Sequence, residues 1–209
     1  MSDLAVPSDR LALVRRGKSL EYFTLAWNAI EAVVSITAGF LAGSVSLVGF
    51  GFDSLIEMTS GGALLWRMHA DHDPERRERA ENLTLRIVGV CFLVLAAYVT
   101  FEAVHDLITR DASERSLPGI VITALSVIVM PLLSRAKRRV GRALSSNAMM
   151  ADSRQTDFCA YLSAIVLTGL LANAFFGLWW SDAVASLLLV PLITREAFQS
   201  LRGTPCSCH

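Results

Sequence analysis

The sequence predicts an all-α, polytopic membrane protein, and three observations carry that prediction. Hydrophobic residues make up 53% of the 209-residue chain and charged residues only 18%. Mean hydropathy is +0.48, more apolar than a water-facing surface of this size tolerates. The apolar residues also gather into six runs, each near the ~20 residues that a helix needs to cross a ~30 Å hydrocarbon core. A soluble helical bundle would show polar stripes at a 3.6-residue period, and most of these runs show none.

The runs place helices at about 20–42, 45–67, 83–107, 117–134, 148–172 and 176–197. The first follows Arg10, Arg15, Arg16 and Lys18, and ends on the small pair Gly39 and Gly43. That spacing permits close helix approach, or else marks a helix end before a tight turn. The second runs from the turn to Trp66. Its link to the first is very short, as is the link between the last two, so both pairs are predicted hairpins. The third follows a stretch holding Arg76, Arg77 and Arg79, with Arg67 before it and Arg86 inside the span's start. The fourth contains Pro131 and is followed by Arg135, Lys137, Arg138, Arg139 and Arg142. The sixth opens on Trp179 and Trp180, contains Pro191, and has Arg195 and Arg202 at or beyond its end. Prolines inside spans are tolerated where neighbours satisfy the freed carbonyls.

The basic residues set a topology. All but Arg110 and Arg115 fall on one side of a six-span arrangement, which places both termini in the cytoplasm and the protein in a plasma or inner membrane. Three parts follow: a cytosolic N-terminal segment (1–19), the six-helix membrane domain (20–198) and a short cytosolic tail (199–209). The first apolar stretch follows about twenty polar-to-mixed residues and is too long for a signal-peptide core. Net charge is zero, so no basic field points to nucleic acid. The four cysteines, Cys91, Cys159, Cys206 and Cys208, do not make a disulfide framework. Cys91 and Cys159 read as packing residues.

Two acids interrupt the second span. Asp53 and Glu57 are one turn apart and share a helix face. An ionised carboxylate at mid-bilayer costs at least about 2.5–3.5 kcal/mol, and intramembrane acids mark ion pathways by default. The fifth span carries Asp152, Arg154 and Asp157 near its start. Asp157 lies about two turns in, deep enough to meet the second-span pair, and Ser153 shares its face one turn earlier. Asp152 either joins them or, like the snorkelling Arg154, reaches the headgroups. Oxygen donors from two helices suit a divalent cation, and carboxylates alone favour the harder ions such as Mn²⁺. Such ligands exchange metal for protons because they must deprotonate to bind.

At these residues the chain resembles the cation diffusion facilitator family of metal transporters. The similarity lies in L-V-x-R before the first helix (Leu13 to Arg16), G-S-V-S-L opening the second (Gly43 to Leu47), and D-S-L-x-[D/E] within it (Asp53 to Glu57). The segment "ADSRQTDFCAYLSAIVLTGLL" looks like the family's fifth helix. The resemblance implies divalent metal export by a homodimer, driven by inward protons. By position it implies four ligands: Asp53, Glu57, Ser153 and Asp157. Where Ser153 stands the family usually has His or Asp, so Asp152 or Gln155 substitutes, or water completes three strong ligands. Most members also append a cytosolic metal-binding domain after the sixth helix, and a variant without it is expected here.

Lesser candidates remain. Cys206, Cys208 and His209 end the chain as C-x-C-H, a short site for Zn²⁺ or one completed by a second subunit. His69, Asp71, His72 and Asp73 lie in the second–third link, where some members bind a second ion, although acids beside Arg-rich sequence usually mean solvated charge. Glu31, one turn after Asn28, lines the path, relays protons or hydrogen-bonds across helices. Glu102, His105 and Asp106 cluster at the far end of the third helix, where interfacial solvation accounts for them.

The expectation is therefore a proton-coupled antiporter of divalent metal working by alternating access. Zn²⁺ is favoured through the Cys–His tail and the family habit, and Mn²⁺, Fe²⁺ and Co²⁺ are the alternatives. A membrane metal sensor or assembly module that moves no ion is the competing class. The chain shows no nucleophile–base pattern and no H-E-x-x-H, so it is not read as an enzyme.

Overall fold

The computed structural model describes residues 7–69, 74–110 and 113–202. They form six helices: α1 (Pro7–Ala42), α2 (Val45–His69), α3 (Pro74–Thr109), α4 (Leu117–Ala143), α5 (Asn147–Phe176) and α6 (Ser181–Leu201). All but α2 are long and apolar enough to cross a membrane. The carboxylates and small polar residues of α2 lower its apolarity, but its 25 residues give ~37 Å at 1.5 Å per residue. The fold is that of an all-α polytopic membrane protein.

The lipid-facing surface is recognisable from what it exposes. Tyr22, Phe23, Ile30, Val33, Phe40 and Leu41 of α1 are exposed, as are Val90, Val94, Phe101 and Ile108 of α3. The buried face of α1 is instead Glu21, Thr24, Asn28, Glu31 and Ser35, spaced three or four apart. This inverts the soluble pattern: apolar side chains meet lipid and polar ones meet each other.

Helix ends depart most from the sequence expectation on the basic side, and on the opposite side α5 ends and α6 begins a few residues later than expected. α1 ends and α2 and α4 begin at the expected residues, whereas α1, α3 and α4 run well past the predicted spans. Hydropathy senses lipid thickness, and a polar segment outside lipid can remain helical. Ser116 and Ser146 cap α4 and α5 by accepting from the Gly119 and Met149 amides. α4 and α6 continue through Pro131 and Pro191.

The α1–α2 hairpin forms as expected. Gly43 turns the chain with φ +60, and a Cβ on Gly39 would lie 2.6 Å from Val48 Cγ2 and 2.9 Å from the Val48 nitrogen. Both readings of that pair therefore apply, one to each glycine: Gly39 is the close approach and Gly43 the turn. The α5–α6 link is also short, yet α6 lies chiefly against α3, while α5 packs most extensively on α4. The reason is the buried stripe Ala185, Leu189, Ile193 and Ala197, whose last three residues share one apolar cluster with Phe92, Leu95, Ala96 and Val99 of α3.

Opposite the basic end, α6 is tied to the α1–α2 turn. Asp182 is buried in the first turn of α6. It accepts from Ser44 Oγ at 2.7 Å, Ser46 Oγ at 2.5 Å and the Ser46 amide at 3.4 Å. An acid at a helix N-terminus also meets the positive end of the helix dipole. Asp182→Ala is expected to lower stability by about 2–3 kcal/mol, since it leaves buried hydroxyls without their charged acceptor. Thermal unfolding in detergent measures it, and an unchanged midpoint would contradict this clasp.

Candidate metal site in the membrane interior

Polar side chains from α1, α2, α4 and α5 meet in a column through the bundle. Asp53 and Glu57, one turn apart on α2, are each 1% exposed. Asp53 Oδ2 and Glu57 Oε2 are buried with no hydrogen-bond partner among the described residues. A buried carboxylate oxygen normally has one, so these two oxygens remain available to a cation.

Glu31 is bound on several sides. Its oxygens accept from Trp27 Nε1 at 2.6 Å, from Ser54 Oγ at 3.1 Å and from Ser126 Oγ. It joins α1, α2 and α4 across their interface, which is the cross-helix role among those open to it. Asn28, on the same face of α1, is buried with neither polar atom partnered among the described residues.

The fifth helix presents a different face from the one expected. Asp157 is ion-paired with Arg138, accepts from Ser134 Oγ, and keeps a third of its side chain exposed. Both partners belong to α4. The Ser153 hydroxyl donates to its own helix at the Met150 carbonyl, 2.8 Å away. The residues turned to α1 and α2 are Asp152, Thr156 and Cys159. Thr156 Oγ1 donates to Glu57 Oε1 at 2.8 Å. Cys159 is wholly buried, lies close to Asp53 and Glu57, and has its sulfur 4.0 Å from Glu31 Oε2. One residue of helix is ~100° of rotation, so 152, 156 and 159 share a face of α5 that 153 and 157 do not. The structure thus brings together Asp53, Glu57, Glu31 and Cys159 and leaves Ser153 and Asp157 on the α4 side.

Other candidates fall as follows. Asp152 does not reach the headgroups; it is buried and ion-paired with Lys137, while Arg154 is exposed. Gln155 is partly buried. Lys137 is no loop cation, because α4 continues beyond the predicted span and turns it inward. Cys159 is not a packing residue only, given the acids around it. Its signal was present in the sequence: Asp152, Thr156, Cys159 and Ser163 recur at four, three and four residues, a polar stripe inside an apolar helix. Glu102, His105 and Asp106 do converge, with ligand-capable atoms within 4.8 Å of one another. His69 ends α2, and its side chain lies outside the described ones, as do His72, Asp73, Cys206, Cys208 and His209 entirely.

The described residues thus make a polytopic helical membrane protein with unpartnered carboxylate oxygens buried in its interior, away from lipid. The sequence agrees: the cation efflux transmembrane domain matches residues 22–204. The chain belongs to that family, the cation diffusion facilitators. It is 25% identical over 181 residues to an uncharacterized transporter of Methanocaldococcus jannaschii, covering 84% of this chain and 64% of the relative. It is 25% identical over 186 residues to transmembrane protein 163 of Xenopus laevis, covering 87% and 65%. It is also 20% identical over 196 residues to the manganese efflux system protein MneS of Bacillus subtilis, covering 91% and 67%. The chain thus spans about two thirds of the length of these relatives.

Proposed function

We propose that the chain carries a divalent transition-metal ion out of the cytoplasm in exchange for protons, by alternating access. The observation that carries this reading is the pair of unpartnered carboxylate oxygens on Asp53 and Glu57, facing Cys159 across the α2–α5 interface. Asp53, Glu57 and Cys159 are the metal ligands, water completes the shell, and Glu31 holds α1, α2 and α4 around it. Two carboxylates and one thiolate suit Zn²⁺ and Co²⁺ better than Mn²⁺, because sulfur favours the softer ions. Each ligand must lose its proton to bind and regains one on release, which couples metal to protons at the same atoms. The basic end faces the cytoplasm by the positive-inside rule, and a homodimer is part of the reading. The family supports transport, and the manganese efflux relative makes Mn²⁺ the competing substrate.

The test is uptake into proteoliposomes. Zn²⁺ flux is expected to rise with an imposed opposing proton gradient and to collapse with a protonophore. Metal binding without flux would favour a membrane sensor instead. Asp157→Asn is expected to retain at least about half of the flux, since a partly exposed ion pair contributes little. Loss of flux in that variant would return Asp157 to the ligand set.

A further inference from the structure

At the basic end of the column one buried ammonium stands among three acids from three other helices. Lys137 Nζ of α4 is 2.5 Å from Asp152 Oδ2 of α5 and 3.1 Å from Glu21 Oε2 of α1, with the Lys137 and Glu21 side chains wholly buried. It also donates to Thr156 Oγ1 at 3.3 Å, the hydroxyl that donates to Glu57 Oε1 of α2. The cluster therefore adjoins the metal ligands through one shared hydroxyl.

A structural ion pair would need one carboxylate. This cluster has a surplus. Glu21 Oε1, Asp152 Oδ1 and Glu57 Oε2 are buried with no hydrogen-bond partner among the described residues. Ionised, Glu21 and Asp152 carry two negative charges against the single positive charge of Lys137. The uncompensated charge is costly in a low-dielectric interior, and a divalent cation in the ammonium's place balances it. The unpartnered oxygens supply coordination that an ammonium with three protons leaves unused.

We propose that Glu21, Asp152 and Thr156 form a cation-exchange site, filled at rest by the tethered ammonium of Lys137 and, during uptake, by a divalent metal ion that displaces it on the way to Glu57. The tether gives the ammonium a high effective concentration. A monovalent ion offers no more charge than the ammonium and does not replace it, whereas a divalent ion does. Lys137 is thus a specificity-determining residue at the entrance of the column. The direction of passage rests on the transport reading above, but the binding chemistry does not.

The experiment uses purified full-length protein carrying Asp53→Asn, which disables the deeper site, titrated with Co²⁺ with and without Lys137→Gln. Differences between variants are read, so any ion held by Cys206, Cys208 and His209 cancels. The double variant is expected to gain one Co²⁺ per chain at least about tenfold tighter than Asp53→Asn alone, because two unbalanced buried acids now face the ion. Co²⁺ should also raise its unfolding temperature selectively, and a further Asp152→Asn should remove both effects. Equal Co²⁺ binding with and without Lys137→Gln would overturn the proposal. Should Lys137→Gln fail to fold, Glu21→Gln serves, because it leaves a one-to-one Lys137–Asp152 pair. Co²⁺ flux is then expected to fall about tenfold while Co²⁺ binding at the deeper site persists, and unchanged flux would overturn the proposal. Absence of flux in the unaltered chain would sink the transport reading alone, with the binding comparison still deciding this one.

Discussion

Replacing Asp53 by Asn is expected to reduce divalent metal flux by about 100-fold or more while leaving the folded protein in the membrane. The substitution keeps size and shape and removes the charge. Even residues that only orient metal ligands typically cost about 10–100-fold when lost, and Asp53 offers the ion an unpartnered buried oxygen. Stability should move the other way. An amide is cheaper to bury than a carboxylate without a counter-ion, so the unfolding temperature should hold or rise. That opposition separates the site from mere packing, because a structural acid would lose flux and stability together. Metal-resolved uptake and thermal unfolding on the same preparation decide it, and flux within about twofold of the unaltered chain would remove Asp53 from the ligand set.

The second large effect concerns Cys159. Cys159→Ala is expected to weaken Zn²⁺ and Co²⁺ binding about 100-fold, with a smaller loss for Mn²⁺, since a thiolate favours the softer ions. Cys159→Asp restores an anionic donor at the same place and should recover transport with a preference moved toward Mn²⁺. Competition between Zn²⁺ and Mn²⁺ in the same vesicles reads the ratio directly. A ratio unchanged by Cys159→Asp would mean that the sulfur never meets the metal.

Much of the fold was legible because lipid imposes a length. The six apolar runs became six helices, and the α1–α2 turn and the start of α4 fell at the expected residues. Beyond lipid that constraint ends. The apolar run of the fourth span predicts a cationic loop over 135–142, but those residues continue α4 and deliver Lys137 to the interior. The α2 acids of the candidate site were legible too, since two acids one turn apart have few explanations inside a span. Which face of α5 they meet was not. Hydropathy gives no rotation about the helix axis, and Asp157 is a more conspicuous acid than Cys159 is a ligand. Only the packing of α5 against α4 shows that Asp157 meets Arg138 while Thr156 and Cys159 meet Glu57. The partner of α6 was likewise a matter of side-chain stripes, not of link length.

The central claim is that α2 and α5 jointly hold the ion through Asp53, Glu57 and Cys159. Zinc X-ray absorption tests it most directly, on protein carrying Cys206→Ser and Cys208→Ser so that one buried thiol remains beside the acids. The spectrum should contain a sulfur neighbour at about 2.3 Å together with oxygens at about 2.0–2.2 Å, and Cys159→Ser should abolish the sulfur while retaining the oxygens. A sulfur signal that survives Cys159→Ser, or a Zn²⁺ shell of oxygen and nitrogen alone in the parent, would contradict the account.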